Sequence, residues 1–237
     1  SSCNPQVGAA LSSLPAYTTL VFDCDGVVLD SNRLKTEAFR AAALPWGAAA
    51  AQALVEHHTA NGGISRWEKF RHFLDHILPE HAPGRVPGRD GPGLERLLDS
   101  YAGAVRQGLM TCAVAEGLEA LRTATPEARW LIVSGGAEAE LREVFAARGL
   151  NGLFDGGIFG SPDSKDAILA RELGNGNIRR PALFLGDSRY DFAAARAAGL
   201  DFAFVSGWTE VRDWPAFVAE HGLRSVPDVA ALAQAGP

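Results

Sequence analysis

Short apolar runs alternate with helix-forming segments through the second half of the chain, and this alternation limits the possible folds most. The apolar runs lie at 130–133, 157–159, 181–185 and 202–205, and Thr209 can cap a helix at 210–221 that follows the last of them. The length of these runs and their content of β-branched and aromatic residues are typical of buried strands. Strands that alternate with helices at this spacing form a parallel sheet with right-handed crossovers. The sequence therefore predicts an α/β domain built on a parallel sheet.

The segment from about residue 34 to 112 has a different character, because it contains helical patterns and no convincing strand. Its candidate helices lie at about 34–43, 48–58, 66–78 and 94–109. Ser31-Asn32 can cap the first of them, and Lys69 is assigned to the polar, solvated face of the third. An apolar run at 20–23 precedes this block, and its next strand partner comes only near residue 130. The helical block is therefore an insertion into the α/β domain. The predicted division is 18–33 and 113–237 for the core, 34–112 for the insertion and 1–17 for a loose N-terminal arm.

Composition limits the class of partner. The 237-residue chain carries 22 basic and 28 acidic residues, a net charge of -6, which argues against nucleic acid or an anionic membrane as the main partner. The three cysteines are odd in number and lack metal-ligand spacing, which favours reduced thiols in a cytoplasmic protein. No basic region followed by an apolar stretch is evident, so neither a signal peptide nor a membrane-spanning helix is predicted. The sequence does not predict an oligomeric state.

Two acidic residues follow the first predicted strand. Asp23 and Asp25 come at the end of the apolar run that begins at Leu20, where open α/β sheets bind their ligands. Two such carboxylates in an apolar setting repel each other and need a cation, a shared proton or full solvation. A solvated Asp-x-Asp-Gly turn explains these two residues equally well when they are taken alone.

Three further motifs decide between these interpretations. One strand ends in Ser134-Gly135-Gly136, another ends in Gly186-Asp187-Ser188, and a helix opens with Lys165. In a parallel sheet all of these ends lie at the same edge. Two or three carboxylates, a hydroxyl, helix N-terminal amides and a lysine would therefore converge there.

In this order, the motifs resemble those of the haloacid dehalogenase (HAD) superfamily, in its phosphoglycolate phosphatase and β-phosphoglucomutase-like branch with a helical, C1-type cap. Asp23 to Ser31 match the first motif, Val133-Ser134-Gly135 the second, Lys165 the third and Gly186 to Asp191 the fourth. The match covers the chain from about residue 19 to 230. The resemblance implies an α/β protein with a Rossmann-like parallel sheet core and an inserted all-helical cap domain.

The resemblance also implies a cofactor and a mechanism. Mg²⁺, which takes oxygen ligands, would be held by the Asp23 carboxylate, the Asp25 backbone carbonyl and the Asp187 carboxylate. Asp23 would be the nucleophile that forms an aspartyl-phosphate. Asp25 would be the acid that protonates the leaving alcohol and then the base that activates water. Dehalogenases of this superfamily lack an acid at that position, so Asp25 favours phosphoryl transfer.

Other motif residues are assigned to the phosphate group and to the support of the site. The phosphate-binding residues would be Ser134, Gly135, Gly26 and Lys165, with the serine and the amides after it at a helix N-terminus. Asp191 would orient Lys165 or a metal-bound water, although a first-turn helix acid favoured by the macrodipole explains it equally well. Ser188 would support the same part of the site.

Two cap residues are candidates for substrate specificity. Gly63-Ile64-Ser65-Arg66 resembles a cap loop of related sugar-phosphate enzymes, so Arg66 would contact the substrate. The alternative for Arg66 is a solvated arginine at the start of a helix. Lys35 stands where many relatives carry a histidine that helps cap closure, and it could meet a second anionic group instead.

The main functional hypothesis is a Mg²⁺-dependent phosphatase that acts on a small phosphorylated metabolite, such as a sugar phosphate or phosphoglycolate. The nearest alternative is a β-phosphoglucomutase-like phosphosugar mutase, and the departure at Lys35 argues against it. A non-catalytic phosphate-binding protein on the same scaffold is the alternative from another class. The intact Asp25 argues against that alternative, because binding alone would not require an acid there.

Overall fold

The computed structural model describes residues 14–234, and its centre is a parallel sheet. Within these residues the sheet has six strands, which are β1 Thr19–Phe22, β2 Arg129–Ala137, β3 Gly157–Ser161, β4 Ala182–Gly186, β5 Asp201–Val205 and β6 Arg224–Val226. Their order across the sheet is β3-β2-β1-β4-β5-β6, and every neighbouring pair is parallel. The predicted α/β fold is confirmed. Strand β6 was not predicted, because Arg224-Ser225-Val226 is not an apolar run.

Helices cover both faces of the sheet and form the inserted cap. The cap helices are α1 Asn32–Ala43, α2 Ala48–Ala60, α3 Arg66–His72, α4 Leu78–His81 and α5 Leu94–Thr111. The core helices are α6 Leu118–Ala124, α7 Glu138–Ala147, α8 Lys165–Gly174, α9 Arg189–Ala197, α10 Trp214–His221 and α11 Val229–Gln234. No helix among residues 14–234 is both long enough and apolar enough to span a lipid bilayer. The domain boundaries given above stay a prediction.

The apolar core continues from the sheet into the cap. Along β1, Leu20 and Phe22 belong to one apolar cluster and Val21 to another, as the two-residue repeat of a strand requires. The cluster that contains Phe22 also contains Phe39 and Phe70 of the cap. Burial of this shared apolar surface therefore holds the cap against the core.

The loose N-terminal arm predicted for residues 1–17 is wrong for its last four residues, while residues 1–13 lie outside the described part. Leu14–Ala16 form one turn of 3-10 helix. Tyr17 is buried, and its hydroxyl donates a hydrogen bond to the Asp201 carboxylate at 2.6 Å. An aromatic ring with a hydrogen-bonded hydroxyl packs well at the edge of a core, so this part of the arm is held in place.

The helix predicted to begin after Thr209 begins later. Helix α10 starts at Trp214 with Asp213 as its N-cap residue, and Pro215 occupies its first turn, where a proline is favoured. The Thr209 hydroxyl does not cap this helix. It donates to the backbone carbonyl of Asp187 at 2.6 Å, so it supports the loop after β4 instead.

The strand order places the functional edge of the sheet. Strands β2 and β3 lie on one side of β1, and β4, β5 and β6 lie on the other. The direction of the connections therefore reverses at β1. Open α/β sheets bind ligands at such a switch point, beyond the carboxyl ends of the strands.

Candidate active site

Three acidic side chains meet at this switch point. Asp23 follows β1, Asp187 follows β4, and Asp191 lies in the first turn of α9. One carboxylate oxygen of each lies within 4.8 Å of the other two, and all three residues are buried. They come together because β1 and β4 are adjacent and in register, with Phe22 paired to Leu185.

Lys165, the first residue of α8, lies between two of these acids. Its Nζ is 3.1 Å from Asp23 Oδ1 and 2.5 Å from Asp191 Oδ1. Burial, together with the negative charge of Asp191, raises the pKa of Asp23 well above its ordinary value. The same two causes raise the pKa of Asp187 to about 7. One ammonium therefore does not offset three buried carboxylates, and the site favours a further positive charge.

The donor set fits a hard divalent cation. Asp191 is occupied within the protein, since Oδ1 contacts Lys165 and Oδ2 accepts the backbone N–H of Asp187 at 3.1 Å. Asp23 and Asp187 then supply carboxylate oxygens, which are the ligands that Mg²⁺ takes in proteins. The chain thus fits the Mg²⁺ that the resemblance implies. The contribution of the Asp25 backbone carbonyl stays a prediction.

Gly26 leaves room for the Asp187 carboxylate, and Asn32 donates a hydrogen bond to it. A Cβ on Gly26, whose φ is +82°, would lie 2.0 Å from Asp187 Oδ2. Asn32 Nδ2 donates to the same oxygen at 2.7 Å and to the Trp208 carbonyl at 2.9 Å. Asn32 was not predicted as a site residue, because a polar residue at the start of a helix is usually interpreted as a cap. Its position directly after the first motif, which ends at Ser31, was the only signal.

Asp25 has a separate environment. The Ser31 hydroxyl donates to its Oδ1 at 2.5 Å, and Lys35 Nζ donates to its Oδ2 at 2.9 Å. Burial alone would raise the pKa of Asp25, but the charge of Lys35 and these two hydrogen bonds outweigh burial and lower it. The prediction that Ser31 caps the first cap helix is wrong, because no side-chain cap bond forms there.

The predicted phosphate-binding segment, residues 134–136, lies in the last part of β2 and meets the cap. Ser134 is buried, and its Oγ accepts the backbone N–H of Gly136 at 3.0 Å. A Cβ on Gly135 would lie 2.3 Å from the backbone oxygen of Gly63, so the cap loop lies directly on this segment. On the other side, Ser188 Oγ accepts the backbone N–H of Asp191 at 3.1 Å and caps α9.

The structure places Arg66 in a buried ion pair. Its guanidinium donates to both carboxylate oxygens of Glu140 in α7, at 2.6 and 3.2 Å. It also lies over the Tyr101 ring, 4.6 Å from the centroid. The alternative of a solvated arginine is therefore wrong, since the residue is 6% exposed. Arg66 lines the same cavity of about 60 Å³ as Asp23 and Asp25.

Lys69, a further charged residue that lines this cavity, was not predicted. Lys69 was assigned to the solvated face of its helix, but it is 2% exposed and its Nζ lies 2.8 Å from His58 Nδ1. His58 Nε2 lies 3.0 Å from Thr36 Oγ1, which donates to Glu210 at 2.8 and 2.9 Å. No spacing signal indicated this chain of contacts, because its members lie on four separate segments.

Comparison with known families agrees with the motifs. A model of haloacid dehalogenase-like hydrolases matches residues 17–199. The chain belongs to the haloacid dehalogenase-like hydrolase family. The matched region contains Asp23, Asp25, Ser134, Lys165 and Asp187, and the predicted HAD resemblance is confirmed. Among curated proteins, no sequence match was found.

Solved structures with this HAD fold cover nearly the whole chain. A predicted phosphoglycolate phosphatase from Haemophilus somnus has a TM-score of 0.71 at 17% identity, covering 92% of this chain and 97% of that one. A predicted phosphatase from Clostridium acetobutylicum has a TM-score of 0.67 at 16% identity, with 92% and 97% covered. CbbY from Rhodobacter sphaeroides, in complex with phosphate, has a TM-score of 0.63 at 19% identity, with 91% and 96% covered. Because the sequence identities are below 20%, the similarity to these structures supports the fold and no specific activity.

Proposed function

We propose that this HAD-family hydrolase is a Mg²⁺-dependent phosphatase that hydrolyses a small phosphorylated metabolite through an aspartyl-phosphate on Asp23. The observation that carries this proposal is the buried cluster of Asp23, Asp187 and Asp191 around Lys165. Such a cluster needs further positive charge, which a divalent cation supplies. The bound cation in turn attracts the negatively charged phosphate of an ester. The similarity in fold to proteins described as phosphatases supports the same assignment.

In the first step, residues of the chain offset the negative charge of the phosphate and of the attacking carboxylate. Asp23 and Asp187 would hold Mg²⁺, which when bound would supply positive charge between the phosphate and the attacking carboxylate. An Asp23 oxygen forms a bond to phosphorus while the bond between phosphorus and the leaving oxygen breaks. Lys165, in contact with Asp23, offsets negative charge on both the phosphate and the nucleophile.

Asp25 acts as the general acid in the first step and as the general base in the second. It gives a proton to the leaving oxygen, which departs as an alcohol, and it takes a proton from the water that then attacks phosphorus. Inorganic phosphate and a free Asp23 carboxylate result, and the proton taken from water serves the next leaving group. Because Lys35 and Ser31 lower the pKa of Asp25, they favour its carboxylate form, which is the form needed for the second step.

The helical cap limits the size of the substrate and its contact with water. The cavity beneath it is about 60 Å³, which suits a compact ester. We place the cap at residues 34–112, with hinges near 31–33 and 107–112, because α1 begins at Asn32 and α5 ends at Thr111. Opening there would admit substrate and water. A cytoplasmic location, predicted from the cysteines, remains part of this proposal.

The test is a panel of phosphate esters, with and without Mg²⁺, in which released phosphate is measured. We expect turnover with Mg²⁺ that a chelator removes and added Mg²⁺ restores. Asp23→Asn should lower turnover by several orders of magnitude, because the amide is not a nucleophile. Asp99→Asn is the matched control, since Asp99 is exposed on α5 and should leave turnover unchanged.

Three outcomes would contradict the proposal. Phosphatase activity retained by Asp23→Asn would exclude the aspartyl-phosphate. Isomerised hexose phosphate with little free phosphate would indicate a mutase. Absence of turnover on the whole panel would indicate a non-catalytic phosphate-binding protein.

A further inference from the structure

The cap side of the cavity carries three cations, and one of them lacks an acidic partner. Lys35 pairs with Asp25 at 2.9 Å, and Arg66 pairs with Glu140 at 2.6 Å. For Lys69, no carboxylate lies within 4.0 Å anywhere in the described part of the chain. All three cations line the same cavity.

Lys69 is held in an environment that does not offset its charge. Its nearest polar partner is the Nδ1 atom of His58 at 2.8 Å, and its Nζ lies 5.5 Å from the centre of the Phe39 ring. Burial, together with the positive charge of Lys35, lowers the pKa of Lys69 to about 7. A buried ammonium without an acidic partner is costly. Its retention facing a cavity therefore points to a ligand that supplies the missing negative charge.

A chain of hydrogen bonds fixes the direction of the Lys69 amine. Burial and the charge of Lys69 lower the pKa of His58 well below its ordinary value, so the imidazole is neutral. Nδ1 then accepts from Lys69, and the N–H at Nε2 donates to Thr36, whose hydroxyl donates to Glu210. The four groups lie on α3, α2, α1 and the loop after β5. Lys69 is therefore positioned by the fold and is not a freely moving surface lysine.

We propose that Lys69 binds a second anionic group of the substrate, a carboxylate or a second phosphate carried by the leaving group. This inference rests on the proposed phosphatase function. In the proposed mechanism the transferred phosphate contacts Asp23 and Lys165 on the core side, whereas Lys69 lies on α3 of the cap and lines the same cavity as Asp23. The group that Lys69 meets is then the far end of a compact ester.

The test compares esters that differ only in the second group. Hydroxyethyl phosphate, phosphoglycolate and ethylene glycol bisphosphate share a two-carbon skeleton and end in a hydroxyl, a carboxylate and a phosphate. Matched three-carbon esters extend the series. The unmodified enzyme should show a kcat/KM at least about tenfold higher for an anionic ester than for its neutral analogue, the size of one charge-assisted hydrogen bond. The preferred ester identifies the carboxylate or the phosphate as the second group.

Variants assign this preference to Lys69. Lys69→Met should reduce the ratio of anionic to neutral kcat/KM to near one, whereas Lys69→Arg should retain a preference. Arg71→Met is the matched control, because Arg71 is an exposed cation on the same helix and should leave the ratio unchanged. An equal loss on all esters after Lys69→Met would instead indicate a general role and overturn the inference.

The ratio should also depend on pH. The pKa of Lys69, about 7, lies below the ordinary value of 10.5, so the amine is charged below about pH 7 and neutral above it. For the carboxylate ester, whose second group keeps its charge between pH 6 and pH 9, the anionic preference should therefore be larger at pH 6 than at pH 9, and Lys69→Arg should abolish this dependence. A pH dependence that came from other charged or titratable groups around the amine would persist in Lys69→Arg, which leaves those groups in place. From other elements they are Lys35, His58, Asp25, Lys165, Tyr101 and Glu210.

Two failures can be told apart. If no ester is hydrolysed, the proposed phosphatase function fails. If esters are hydrolysed but the unmodified enzyme shows no preference for an anionic second group, only the inference about Lys69 fails. This second outcome requires no variant, so it can be read even if Lys69→Met does not fold.

Discussion

At the scale of single residues, Gly26 combines a backbone requirement with a contact in the site. Its φ of +82° lies in the left-handed region that favours glycine, and its missing side chain leaves room for Asp187. We expect Gly26→Ala to displace the Asp187 carboxylate and to weaken Mg²⁺ binding at least about tenfold, as loss of support for a metal ligand does. The measurement is phosphatase activity as a function of Mg²⁺ concentration.

Gly84 provides a control matched in backbone geometry. Its φ is +78°, but no atom lies within 4 Å of the position that its Cβ would take. Either alanine costs about 1 kcal/mol of backbone strain, which thermal unfolding can compare. Gly84→Ala should lose that stability and keep its Mg²⁺ dependence. The same Mg²⁺ dependence in both variants would contradict a role for the close approach to Asp187.

The residues at the strand ends could be predicted, whereas those on the cap could not. Asp23, Ser134 and Asp187 follow apolar runs in a fixed order, and parallel strands bring such ends together. Helical periodicity shows which residues share a face of a helix but not what that face meets. Lys69 was therefore assigned to solvent, although its face meets His58 of another helix.

At the scale of elements, helix α7 joins the core to the cap through two arginines. Arg66 of α3 pairs with Glu140, and Arg106 of α5 pairs with Glu143. The first pair is largely buried, with side chains 5% and 14% exposed, whereas the second is 61% and 55% exposed. The buried pair should contribute more to the free energy of unfolding than the exposed pair, because water screens an exposed pair.

This difference predicts unequal effects of two similar substitutions on α7. Glu140→Gln leaves the buried Arg66 without a charged partner and should lower the free energy of unfolding by about 3 kcal/mol. Glu143→Gln should lower it by less than about 1 kcal/mol. Urea unfolding of the two variants measures this. Equal effects would show that Arg66–Glu140 does not anchor the cap as its burial suggests.

Most elements could be predicted from apolar patterns, and the exceptions have physical reasons. The start of α10 was misplaced because Thr209 matches a capping residue while its hydroxyl bonds to Asp187. The helix predicted for 66–78 contains a π-helical segment at Phe73–Ile77, and such bulges have no signature in spacing. Strand β6 depends on pairing with β5 more than on its own residues.

At the scale of the whole molecule, the cap and the sheet form one closed unit around the site. One apolar cluster runs through both, and the cap loop at Gly63 lies against Gly135 in the last part of β2. The closed form therefore depends on a close approach of two backbone segments as well as on buried apolar area. Sequence patterns predict that a cap exists, but such an approach depends on how the two parts pack.

Gly135→Ala tests this approach, because the added Cβ would lie 2.3 Å from the Gly63 oxygen. Gly135 has no positive φ, so alanine strains the cap contact rather than the backbone. We expect a larger radius of gyration by small-angle scattering and activity at least about tenfold lower, since an open cap admits water. Gly103→Ala in α5, with no atom within 4 Å of its Cβ position, should keep both values and gain up to about 1 kcal/mol of stability. An unchanged radius of gyration with lost activity would place the effect in the phosphate-binding segment at 134–136 and not in closure of the cap.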